Sequence, residues 1–137
     1  MNAFINTPVI VEQNGVIVFQ GLNSASKGCW QNNGGWLFAP QATGQFTITR
    51  PGIYRIAFSA TVTGFAGPVT FTLNQNGAPI PGTTMGQTNT AATDLSNIAT
   101  EAEVTVPTGG TGFITLENTT AGAVTVNNAS LVITRIG

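Results

Sequence analysis

The chain has 137 residues, of which 42% are hydrophobic and only 7% charged, with a formal net charge of −1 and no histidine. That length and apolar share imply one packed domain and exclude a disordered chain. Four scattered basic residues, Lys27, Arg50, Arg55 and Arg135, form no footprint for phosphate, so neither nucleic acid nor an anionic membrane is an expected partner. Without histidine there is no Ser-His-Asp or Cys-His machinery. Cys29 stands alone and cannot form an internal disulfide or a cysteine zinc site. No apolar run approaches the roughly 20 residues that span a bilayer. No cleavable leader opens the sequence, so the chain reads either as made and assembled in the cytoplasm or as already trimmed.

Residues 1–7 read as an attachment segment or a fraying end. Residues 8–12 and 16–20 flank Gln13-Asn14-Gly15, and Asn-Gly between apolar runs predicts a hairpin. Residues 21–35 lack any period and read as a loop, after which residues 36–38 return to strand character. Residues 45–49 alternate, with Phe46 and Ile48 on one face, and Pro51-Gly52 turns the chain. Residues 53–62 form the strongest strand. Tyr54, Ile56, Phe58, Ala60 and Val62 share one face, and Ile53, Arg55, Ala57, Ser59 and Thr61 share the other.

Residues 64–68 read as a turn. Val69, Phe71 and Leu73 alternate with polar neighbours, and Asn76-Gly77 reverses the chain into a stub at residues 78–81, whose two prolines mark it as an edge. A weak strand follows near residues 84–88. Residues 96–106 place Ile98, Ala102, Val104 and Val106 inward and Glu101, Glu103 and Thr105 outward. Residues 107–112 are a glycine turn, residues 113–118 a strand, residues 119–122 a turn and residues 123–126 a strand. Asn127-Asn128 then reads as a turn into a last strand at residues 129–136. Nine or ten short strands with no helical period predict an all-β, antiparallel two-sheet jelly-roll sandwich of roughly eight strands. Its expected core includes Phe46, Tyr54, Ile56, Phe58, Phe71 and Phe113.

The residues that could carry chemistry are few. Glu101 and Glu103 share a strand face and offer the paired carboxylates that a glycosidase uses, but two carboxylates on an outward strand face read better as a solvated surface. Gly109-Gly110-Thr111-Gly112 lacks the Lys-Ser/Thr of a phosphate loop and reads as a turn. Asn118 and Asn128 open glycosylation-type triplets that a chain rich in Asn and Thr produces by chance. Trp30 and Trp36 flank a polar loop. They are ligand-binding candidates for stacking on a cell-surface glycan, against the plainer reading that they cover the barrel end or meet a neighbouring subunit.

Two faces of the last strand are apolar, Leu131 and Ile133 on one and Val132 and Ile136 on the other. A sandwich can hide only one face of such a sheet, so the second needs a partner. The spacing T-G-x-F-x-x-x-x-P-G-x-Y-x-x-x-F, carried by Thr43, Gly44, Phe46, Pro51, Gly52, Tyr54 and Phe58, resembles the signature of the complement/tumour-necrosis-factor jelly-roll superfamily. Gly15–Phe19 (GVIVF) and the tail ASLVITRI resemble its early and closing strands. The texture, with LNQNGAPIP, is similar to head domains of collagen-like bacterial surface filaments such as those of the spore exosporium, although no Gly-X-Y stalk precedes it here.

The resemblance implies a TNF-like homotrimer, with Ile53, Arg55, Val132 and Ile136 as trimer-interface candidates. It also offers Asp94 and Asn97 as a calcium candidate at the exposed end; no cofactor is otherwise implied. The expected function is that of a non-enzymatic structural surface module on a virion, such as a bacteriophage capsid fibre or decoration head. A spore or bacterial filament head and a receptor- or glycan-binding head are the alternatives.

Overall fold

The computed structural model describes residues 2–24, 37–38 and 44–137. Cys29, Trp30 and Trp36, and with them the readings placed on these residues, lie outside the described residues. Among the described residues there are twelve strands: β1 (Asn2–Ile5), β2 (Val9–Val11), β3 (Gly21–Ser24), β4 (Leu37–Phe38), β5 (Phe46–Ile48), β6 (Gly52–Thr63), β7 (Gly67–Gln75), β8 (Ala78–Pro79), β9 (Met85–Asn89), β10 (Ser96–Val106), β11 (Gly112–Asn118) and β12 (Val124–Arg135). They form two antiparallel sheets of six. One runs β10-β6-β12-β1-β3, with β2 also on β12; the other runs β4-β5-β11-β7-β8, with β9 also on β7. This is a jelly-roll sandwich, as the alternation predicts.

The core lies between the sheets. Tyr54, Ile56, Phe58 and Val62 from β6 meet Phe46, Phe71, Leu73, Ile114 and Leu116 from the facing sheet, all essentially buried. The Phe58 and Phe71 rings lie 6.1 Å apart and tilted, a packing that aromatic quadrupoles favour. The Tyr54 hydroxyl donates to the Arg50 carbonyl oxygen at 2.7 Å, and burial pushes its phenol above the ordinary value. Two motif glycines have steric causes. A Cβ on Gly44 (φ +72°) would lie 2.4 Å from the Ile17 carbonyl oxygen, and one on Gly52 (φ +153°) would lie 2.7 Å from Arg135 Nε.

Five expectations change. Residues 2–5 do not fray: β1 pairs with β12 and β3, and Ala3 and Ile5 are buried, because an apolar alternation beside a long central strand gains more by adding to the sheet. The Asn14-Gly15 turn exists, but its flanks part. Val9–Val11 pairs with β12 in one sheet, while Ile17 N–H donates to Leu116 O in the other at 2.9 Å, so the turn crosses between layers. Gly21–Ser24 is a strand on β1 rather than the start of a loop. Asn127-Asn128 is no turn. Strand β12 runs through it with a bulge between Val126 and Asn128, and Asn127 Nδ2 donates to Thr63 Oγ1 at 3.0 Å. Phe113 is not core: it is 38% exposed, because Ile114 and Leu116 take the inward positions of β11 and alternation turns Phe113 out.

The stub at the second sheet's edge is β8, as its prolines require. The free edge of β10 is partly plugged by amide side chains from the other sheet. Gln87 Oε1 accepts the Asn97 N–H at 3.1 Å, and Gln75 Nε2 donates to the Thr105 carbonyl at 3.2 Å.

Candidate functional site

The outer face of the β10-β6-β12-β1 sheet is the molecule's distinctive surface. The ladder register stacks its side chains in rows. Thr61 stands between Asn97 and Asn128; Ser59 between Ala99 and Ser130; Ala57 between Glu101 and Val132; Arg55 between Glu103 and Thr134. Beyond these Ile53 stands beside Thr105, and Ile136 N–H donates to the Ile53 carbonyl at 2.8 Å. Along the strands the face therefore passes from amide and hydroxyl, through small, through a row where Ala57 and Val132 stand with Glu101, through charged, to a pair of isoleucines.

Three of the four interface candidates are large apolar groups left in water: Ile53 is 40%, Val132 38% and Ile136 49% exposed. The fourth, Arg55, pairs through Nε with Glu101 Oε1, and this carboxylate holds the guanidinium above its ordinary value. Polar side chains in the other rows also satisfy each other. Thr61 Oγ1 donates to Asn97 Oδ1 at 3.1 Å, and Asn2 Nδ2 donates to Ser130 Oγ at 2.9 Å. Small side chains at Ala57, Ser59, Ala99 and Ser130 leave hollows on the same face. One, of about 530 Å³, is bounded by Ala57, Ala99, Val132, Glu101 and Met85. Another, of about 260 Å³, lies between Arg55, Ala57, Val132 and Thr134. Met85, 41% exposed, reaches this face from β9 and escaped sequence reasoning, since a lone methionine in a polar stretch gives no periodic signal.

Asp94, Asn97 and Glu101 each have partners of their own among the described residues. Asp94 Oδ2 accepts the Thr90 hydroxyl at 2.9 Å and the N–H groups of Ala91 and Thr90 at 3.0 and 3.2 Å, and these bonds, led by the Thr90 hydroxyl, lower its pKa. Asn97 Oδ1 is committed to Thr61, so the calcium candidate's two side chains serve different elements. Among the described residues no group of three His, Cys, Asp or Glu could hold a metal. Glu101 is engaged with Arg55 rather than poised with Glu103.

Asn118 is fully buried and opens no accessible glycosylation triplet. Its Nδ2 donates to the carbonyls of Val11, Glu12 and Gly122 at 3.0–3.1 Å, and its Oδ1 accepts the Thr120 N–H at 3.0 Å. It is the hub where β2, β11 and the turn before β12 meet.

These sheets and their order define a TNF-like jelly roll. The chain is similar in structure to the Eiger TNF of S. frugiperda, with a TM-score of 0.70 at 12% identity over 100% of this chain and 92% of that one. Two family 35 carbohydrate-binding modules also align: that of Cellvibrio japonicus Abf62, with a TM-score of 0.41 at 16% identity over 96% and 99% of the two chains, and one from an environmental isolate, with 0.43 at 15% over 100% and 98%. No protein-family model matches the sequence, and no curated protein matches it.

Proposed function

We propose that this chain is a non-enzymatic structural module that assembles as a homotrimer through the outer face of the β10-β6-β12-β1 sheet, forming a neutral head on a larger particle. The observation that carries the reading is the row structure of that face. Ile53, Val132 and Ile136 are exposed there beside hollows floored by alanine and serine, so a second surface can interdigitate with it. A ring of three needs each copy to offer two different patches, and interfaces of this obligate sort commonly bury more than about 2,000 Å².

A virion surface is the setting we favour, and a spore or bacterial filament is its rival. A surface with few charges, covered by Thr, Asn and Ser, suits a hard exposed knob in either. Mass measurement of Ala57→Arg tests the interface. The reading expects dissociation, because an arginine cannot fit the alanine row; an unchanged trimer would contradict it.

A glycan-binding head is the second reading, favoured by the hollow of about 530 Å³, which sets the Ser59 and Ser130 hydroxyls and the Glu101 carboxylate beside the apolar Met85 and Val132. It requires that face to be open. A glycan array probed with the protein in its solution assembly distinguishes the two: binding abolished by Ser130→Trp favours the second reading, and no binding favours the first.

A further inference from the structure

Two Asn-Gly pairs fall within the described residues, and they are held differently. At the first, Asn14 N–H donates to Asn118 O at 2.8 Å, Gly15 N–H donates to Glu12 O at 2.9 Å, and Gly15 O accepts the Asn118 N–H at 2.8 Å. This turn is knitted to the buried hub. At the second, Asn76 (φ +53°) and Gly77 (φ +81°) make the exposed two-residue turn between β7 and the two-residue edge strand β8. The Gly77 N–H has no acceptor among the described residues, and nothing lies within 4 Å of where its Cβ would be. Asn76 N–H donates to Phe113 O at 2.8 Å and Asn76 Oδ1 accepts the Phe113 N–H at 2.8 Å, so this turn is tied to the exposed start of β11 rather than to a buried hub.

We propose that Asn76 is a site of spontaneous deamidation and isomerisation, and that Asn14 is protected from it. Solvent hydroxide takes the Gly77 amide proton, and the nitrogen forms a bond to Asn76 Cγ. The electron pair moves onto Oδ1, where the Phe113 N–H already donates and stabilises the developing charge. The Cγ–Nδ2 bond then breaks, and Nδ2 takes a proton from water and leaves as ammonia. Water opens the resulting five-membered imide at either carbonyl, giving aspartate or isoaspartate. The sum is one water consumed and one ammonia released, with no redox partner.

The attack needs a brief opening of the turn. A two-residue edge stub opens at far lower cost than a turn bonded to the fully buried Asn118. Isoaspartate adds a carbon to the main chain and detaches residue 76 from the end of β11.

The full chain, aged in mildly alkaline buffer, digested and sequenced by mass spectrometry with fragmentation that separates aspartate from isoaspartate, tests this directly. Asn76 should convert at least about tenfold faster than Asn14, the ratio expected when one turn opens locally and the other only with the sandwich. Equal rates, faster conversion at Asn14, or an intact Asn76 after a free peptide of residues 73–79 has fully converted would each overturn the proposal. Asn33-Gly34 lies outside the described residues, and its conversion is read separately.

Discussion

Arg55 stands directly across the ladder from Glu103, yet its guanidinium pairs with Glu101, one side-chain position along the same face. Glu103 acts on that cation only through its nearby charge. Each copy brings one arginine and two glutamates to this row, so a threefold ring would gather twice as many carboxylates as guanidiniums. Exposed pairs of this kind contribute little to one copy's stability. In the proposed trimer their weight would fall on assembly, where like charges would converge. Arg55→Glu should weaken association at low salt, and added salt should partly restore it by screening. Sedimentation across ionic strength checks this, and an assembly indifferent to both the substitution and salt contradicts it.

Phe58 and Phe113 should part company when truncated. Phe58 is 2% exposed against Phe71, and Phe58→Ala leaves a cavity worth about 3–5 kcal/mol. Phe113 is 38% exposed, and Phe113→Ala should cost less than about 1 kcal/mol. Denaturant melts of the two variants, compared at equal protein concentration, decide whether the β11 register is as described.

Asn118→Ala should destabilise by at least about 2 kcal/mol, because it removes a fully buried amide that bonds three carbonyls and one N–H. Asn118→Asp should also destabilise, since a carboxylate cannot donate to those carbonyls. Thermal melts with near-wild-type midpoints would remove Asn118 from its role as hub.

Asp94 provides a pH test. Its carboxylate is held below the ordinary range by the Thr90 hydroxyl and the Ala91 and Thr90 N–H groups. A depressed folded pKa means stability that is present above the unfolded value, about 3.9, and lost as pH falls through the folded one. Wild type should therefore exceed Asp94→Asn in melting temperature near neutral pH, and the gap should close in acid. A gap that is constant with pH would mean that the turn does not depend on the charge.

The parts that were legible in the sequence follow from period-two patterning. Strands β6 and β10 show their two faces openly, because Tyr54, Ile56 and Phe58 differ so sharply from Arg55, Ala57 and Ser59. Asn76-Gly77 is a local hairpin and was readable as one. Asn14-Gly15 carries the same dipeptide, but a turn signal specifies reversal and not which sheet each flank joins. A single inserted Asn127 looks in sequence like a turn, and only the continuous pairing of β12 with β6 shows it to be a bulge. Phe113 misled because size suggests burial while the phase of Ile114 and Leu116 decides it. Asn118 and Met85 gave no signal, since a buried amide hub and an edge methionine are defined by partners distant in sequence.

The sharpest test of the account is the mass of the intact protein in native buffer at micromolar concentration. It predicts a species of three times 14.1 kDa that Ala57→Arg dissociates. A folded, soluble species of 14.1 kDa with its outer sheet face in water would contradict it.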